Sequence, residues 1–191
     1  MRLRALSLSL LILLSGCGSL LPEAKTITRS PWATFEDAKR AYDSIEPYKS
    51  TIDDLKRLGY DPFVTPNIKI LSYLDVMNRF MINPSIKKED LDEGIQRCID
   101  FKNYCKAFEA TPQDLKTKRY GNVFLDLFNF SRRTKSSGWR FQAIIVLVDD
   151  VVVYKLWSGN PTIDEFTEKK NPLGPLQEPE DVVKEAVKGL Y

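Results

Sequence analysis

Histidine is missing from all 191 residues of the chain. Its absence removes the commonest general base near neutral pH, every Ser-His or Cys-His nucleophile arrangement, and the usual zinc sites. There is no GxSxG, P-loop or GxGxxG motif, and no CxxC pair for redox or metal chemistry. No cofactor or metal site is read from the sequence. Charge of one sign is also lacking: 28 basic residues face 26 acidic ones. That balance supplies no broad basic face for nucleic acid. Paired carboxylates are the remaining route to hydrolysis without histidine. The candidates are Asp149-Asp150, Asp53-Asp54 and Asp92-Glu93. Each also has a structural reading, as a turn, as acids in the first turn of a helix and as part of a solvated charged run. The expectation is therefore a protein that is not an enzyme.

What is present begins at the N-terminus. Arg2 and Arg4 precede a short apolar run from Ala5 to Leu14, which leads into Leu14-Ser15-Gly16-Cys17. Such zonation marks a secretory signal, and the run is half the roughly 20 residues that a membrane-spanning helix needs. Leu-Ser-Gly-Cys resembles the bacterial lipobox. The resemblance implies cleavage after Gly16, diacylglycerol on the Cys17 thiol, and usually a further acyl chain on the new amino group. Two or three chains at about 0.8 kcal/mol per buried methylene hold a protein on a membrane effectively permanently. Gly18 rather than Asp follows the cysteine, which by resemblance to the usual sorting rule implies the periplasmic face of the outer membrane. The organisation expected is a signal peptide over 1–16, a lipidated tether over 17–30 and a single domain over 31–191. Loss of Arg2 and Arg4 brings the mature chain close to neutrality.

With Cys17 acylated, Cys98 and Cys105 are the only other thiols. In an oxidising compartment such an isolated pair is expected to form a disulfide. Seven residues apart on one helix their Cα atoms would be about 10.5 Å apart, beyond the roughly 7 Å limit for a bridge. The chain must therefore turn between Ile99 and Tyr104.

Periodicity assigns the elements. Thr34 with Asp37 opens a helix over 35–45 carrying Phe35, Ala38, Tyr42 and Ile45 at helical spacing. Ser50 with Asp53 opens a second over 51–58, closed by Gly59 in a left-handed cap. Asn67 to Met81 suits a helix or a strand, and 83–110 reads as irregular or short-helical. Val123, Leu125 and Leu127 alternate with Phe124, Asp126 and Phe128, the period of a strand. Arg132 to Gly138 reads as a polar connection. Trp139 to Val148, the Asp149-Asp150 turn and Val151 to Trp157 then complete a three-stranded meander. Helices first and meander second give a two-layer α+β domain. The proline-spaced stretch beyond Gly159 is expected to lie over the surface, and Asp181 to Leu190 to close the chain as a helix.

The aromatic residues of the hairpin are expected mostly in the core. Any that face outward, Trp139, Tyr154 and Trp157 among them, would form a partner-binding patch. Arg132 and Arg133, with Lys135, would offer cations to lipid headgroups or to an acidic partner.

The segment from Lys49 to Pro62, KSTIDDLKRLGYDP, resembles the helix of small outer-membrane lipoproteins of the BamE (SmpA/OmlA) type, which closes in Leu-Gly-x-x-Pro or nearly so. The hairpin from Ile144 to Trp157 is similar to theirs as well. Pro47-Tyr48-Lys49 stands where that family has a glycine, and 63–120 has no counterpart in its short members. The resemblance implies a non-enzymatic accessory role in β-barrel assembly, with protein partners and contact with phospholipid. Two other roles fit the same compartment: an inhibitor that presents a loop to a hydrolase such as lysozyme, and a carboxylate hydrolase of the envelope.

Overall fold

A computed structural model describes residues 21–174. The expected signal peptide, Cys17 and the expected helix over 181–190 lie outside these residues. Among the described residues the fold is mixed α+β, with five α-helices and an antiparallel sheet of six strands. The strands are β1 (Glu23–Ile27), β2 (Ile68–Ser72), β3 (Cys105–Ala110), β4 (Gln113–Tyr120), β5 (Ser131–Val148) and β6 (Val151–Lys170). The helices are α1 (Phe35–Asp43), α2 (Ile52–Arg57), α3 (Tyr73–Phe80), α4 (Glu93–Phe101) and α5 (Val123–Leu127). Strand order is β1-β4-β5-β3-β2, with β6 paired to β5. No helix among the described residues is long and apolar enough to cross a membrane. The described chain divides into two compact units, a larger one of residues 26–115 and 138–163 and a smaller one of 21–25, 116–137 and 164–174.

In the larger unit β3 runs antiparallel between β2 and β5, with Ile68 opposite Ala110 and Cys105 opposite Val148. Successive side chains of a strand point to opposite faces, and here both faces are covered. Ala143, Ile145 and Leu147 enter one core with Phe108, Val152, the α1 residues Phe35, Ala38 and Tyr42, and Leu55 of α2. Ile144, Val146 and Val148 enter a second core with Ala107, Val153, Val76 of α3, and Ile95 and Cys98 of α4. The two-layer expectation is corrected accordingly. The sheet is sandwiched between helix pairs, and the unbroken apolar run from Ala143 to Val148 is what a strand buried on both sides requires.

Local chemistry sets the helix ends. Thr34 accepts from the Asp37 N–H at 3.1 Å and starts α1 where expected. The box that opens α2 lies one residue later than read from the sequence: Thr51, not Ser50, pairs reciprocally with Asp54. Ser50 Oγ instead accepts from the Glu46 N–H at 2.9 Å. Gly59 ends the segment at φ 95°, where an added Cβ would meet the Pro31 ring at 2.5 Å. Asn67 to Met81 is both strand and helix, since Ser72 finishes β2 and caps α3 through Asp75. Gly94 lets α4 lie against β6, because a Cβ there would sit 2.2 Å from the Val153 carbonyl oxygen.

The hairpin between β5 and β6 turns at Asp149 and Asp150, both at positive φ, 52° and 66°. That is the conformation of a two-residue turn whose twist matches its strands. Cys98 and Cys105 lie at disulfide distance, their Cα atoms 5.0 Å apart. The turn this pairing demands is made by the end of α4 at Phe101 and a 3-10 turn over Lys102–Tyr104.

Further expectations are corrected in the smaller unit and at its strands. Residues 23–27, read as part of the tether, are strand β1. Arg132 to Gly138, read as a connection, belongs to β5, and the stretch beyond Gly159 continues as β6 to Lys170 rather than lying over the surface. Val123 to Leu127 is a helix, not a strand. The Asn122 side chain accepts from the N–H groups of Phe124 and Leu125, and this cap turns the chain into α5. Cross-strand pairs, Lys116–Glu23, Arg133–Glu168 and Lys135–Asp164, each at 3.0 Å, hold this part of the sheet together with an edge-on Tyr120–Phe166 contact.

Candidate functional site

The residues expected to bind a partner do not form one patch. Trp157 stacks on Phe141 with ring centres 5.8 Å apart, and Lys39 Nζ lies 4.8 Å from its ring centre. Trp139 packs against the same core. Tyr154 is on the other face of the sheet, edge-on to Phe80 at 5.6 Å. These contacts make all three packing residues, with Trp157 remaining 40% exposed. Arg132 and Arg133 belong to the smaller unit. Arg133 is engaged by Glu168, whereas the buried Nε of Arg132 has no hydrogen-bond partner among the described residues.

Each candidate acid pair includes a side chain with a structural partner. Asp150 pairs with Lys106 at 2.6 Å. Asp53 pairs with Lys56 at 3.0 Å, and Asp54 completes the Thr51 capping box and also bonds Arg57. Asp92 caps α4 by accepting from the Gly94 N–H at 2.8 Å. The hydrogen bonds from Thr51 hold the Asp54 carboxyl below the usual carboxylate range, as those from Ser72 do for Asp75. No cluster of three or more metal-ligating side chains occurs among the described residues.

Two charged groups that the sequence did not single out are buried or half-buried. Glu109 lies within the second-core side of β3 and accepts both arms of the Arg79 guanidinium, at 2.7 and 3.0 Å, plus Gln142 at 2.8 Å. Such a two-pronged pair satisfies a buried carboxylate and ties α3 to β3. Lys155 borders a shallow concavity with Tyr48, Asp92, Glu93 and Tyr154. Its ammonium donates to the Tyr42 carbonyl at 3.0 Å, so it caps the C-terminal end of α1. Burial pushes its pKa down.

The surface that stands apart is α5. Its one charged residue, Asp126, is turned inward and buried, with Oδ1 paired to Arg119 at 3.2 Å, whereas Phe124, Leu125, Leu127 and Phe128 face outward, Phe124 at 64% and Leu127 at 71% exposure. This inverts the ordinary helix, which buries its apolar stripe and exposes its charge. Phe166 and Leu173 of the same unit are also exposed, at 62% and 65%. The segment after β6 is tied to the exit of α5, since the Asn171 N–H donates to the Phe130 carbonyl at 2.9 Å. The period-two pattern of 123–128 masked this surface. The available signal was Asn122, a favourable helix N-cap directly before the run.

The larger unit also exposes large apolar side chains, most fully in a loop after α2 with Phe63 at 86% and Val64 at 77% exposure. The Asp61 side chain braces it by accepting from the Phe63 N–H at 3.0 Å.

No protein-family model matches the chain, and comparisons with curated proteins and with solved structures return no match.

Proposed function

We propose that the chain is a lipid-anchored binding module of the bacterial envelope, held through acylated Cys17 at the periplasmic face of the outer membrane and acting without catalysis. The observation that carries the binding role is the exposed apolar surface around α5, where four of the seven residues from Asn122 to Phe128 are large, apolar and outward-facing. Monomeric proteins rarely leave such a surface without a partner. The anchor is supported by the order of Arg2 and Arg4, the short apolar run and Leu-Ser-Gly-Cys. A BamE-like role in β-barrel assembly is supported by the KSTIDDLKRLGYDP segment and by the hairpin after it. Extensive additions, including β2, β3, α3 and α4, accompany that resemblance.

The Phe63-Val64 loop favours a second reading, an inhibitor that inserts an apolar loop into a hydrolase. Chemical crosslinking in intact cells followed by purification separates the two. Recovery of barrel-assembly subunits supports the scaffolding role. Capture of an envelope hydrolase without them rejects scaffolding in favour of inhibition.

A further inference from the structure

We infer that the surface around α5 is a second membrane contact, which rests on the same phospholipid bilayer that holds Cys17. The inference deepens the binding-module reading and depends on the lipidation of Cys17. Reach is its first support. The Pro22 carbonyl accepts from the Arg119 N–H at 3.1 Å, and the Arg119 side chain pairs with Asp126 of α5. Four residues lie between Cys17 and Pro22, and the five steps from one to the other span at most about 18 Å when fully extended. The acyl chains place Cys17 at the headgroups, so the Pro22–Arg119 contact, at the end of β4 next to α5, lies within about that distance of them.

Chemistry is the second support. Phe and Leu side chains that project together from a short helix suit the boundary between headgroups and acyl chains, where apolar faces sink by about 5–10 Å. The inward turn of Asp126 removes the one acidic group of α5 from the surface that lipid would meet. Charge is the third. The described part of the smaller unit carries nine basic side chains, Arg132, Arg133 and Lys135 among them, against five acidic ones, whereas the whole chain is only +2. Such a local excess attracts anionic phospholipid. Neither a protein partner nor residues 175–191 would need this surface to lie within a short tether of the anchor.

The test places an environment-sensitive fluorophore on Phe124→Cys, Leu127→Cys and, as the water-exposed reference, Phe63→Cys. With Cys17 acylated and the Cys98–Cys105 pair bonded, each variant has a single reactive thiol. The lipidated protein is purified from cells and reconstituted into vesicles of phosphatidylethanolamine and phosphatidylglycerol that carry a nitroxide-labelled phospholipid. Emission at 124 and 127 is expected to shift to the blue and to be lost to the nitroxide, while emission at 63 keeps its aqueous maximum and intensity. Quenching at 124 and 127 no greater than at 63, in protein whose intact mass carries the acyl chains, overturns the membrane contact and leaves the anchor standing. A blue shift without quenching also overturns it, assigning the surface to protein or to residues 175–191. An intact mass without acyl chains overturns the anchor, and the inference with it.

Discussion

Ile145 and Val146 are neighbours on β5, both fully buried, yet they enter different cores. A sheet covered on one face would tolerate truncation at one of the two positions, whereas this sheet should tolerate neither. Ile145→Ala removes three methylene equivalents, about 2.4 kcal/mol of transfer free energy at about 0.8 each. The cavity left among Phe108, Phe141 and the α1 side chains adds to that, for a total of about 3–4 kcal/mol. Val146→Ala removes two, about 1.6 kcal/mol, and reaches about 2–3 kcal/mol with its cavity beside Val76 and Ile95. At a urea slope of about 2 kcal/mol/M the midpoints fall by about 1.5–2 M and 1–1.5 M, with the slope unchanged. Tryptophan fluorescence is the assay, because Trp32, Trp139 and Trp157 all belong to the larger unit. A Val146→Ala cost under about 0.5 kcal/mol, the range of surface substitutions, refutes the second core.

Other consequences are as direct. Replacing Cys98 and Cys105 together by alanine opens a loop of sequence separation 7, which the chain-entropy relation values at about 2.4 kcal/mol; an unchanged urea midpoint contradicts the pairing. Gly94→Ala, favourable by about 1 kcal/mol in an isolated helix, should instead destabilise by about 1–3 kcal/mol, since the new Cβ meets the Val153 carbonyl oxygen at 2.2 Å; a stabilised variant contradicts that packing. Alkaline stability follows from Tyr42 and Tyr60. Burial, followed by nearby phenol charge, pushes the Tyr42 pKa from 10.0 up to about 12 and raises Tyr60 further. Their protonated forms therefore contribute stability that is complete below pH 10 and is lost as the pH rises, through about 12 for Tyr42 and higher still for Tyr60. Lys155, whose pKa is lowered, has the opposite sign and adds stability with rising pH only up to its ordinary value of 10.5. Phenolate absorbance and circular dichroism should change together in this range, and an alkaline midpoint unaltered by Tyr42→Phe with Tyr60→Phe contradicts the assignment.

The parts of the fold that were legible in the sequence are those fixed by local chemistry. Thr34 and Gly59 bound their helices where capping rules put them, Asp149-Asp150 makes the tight hairpin turn, and the spacing of Cys98 and Cys105 demanded the turn at Lys102–Tyr104. The parts that were not legible depend on distant partners. β3 has buried residues on both faces, so CKAFEA carries no alternation to read. The polar run Arg132 to Gly138 is a strand because Glu168 and Asp164 stand across from its cations. Pro161 is tolerated within β6 because that strand pairs with β5 alone in the sheet, and an edge strand can spare the N–H. In 123–128 a period of two and a helix with its apolar side outward produce the same short pattern, and only the Asn122 cap separates them. For the same reason the α5 surface was missed, whereas the hairpin aromatics, expected mostly in the core, include Trp139 packed against it and Trp157 stacked on Phe141 while 40% exposed.

Both the proposed function and the inferred membrane contact of α5 require that Cys17 be lipidated. The most direct measurement is metabolic labelling with radioactive palmitate in cells that express the wild-type chain or Cys17→Ser. Label that is carried by the wild-type protein and lost from the serine variant is the predicted result. A wild-type chain that accumulates at its mature size without label contradicts the account.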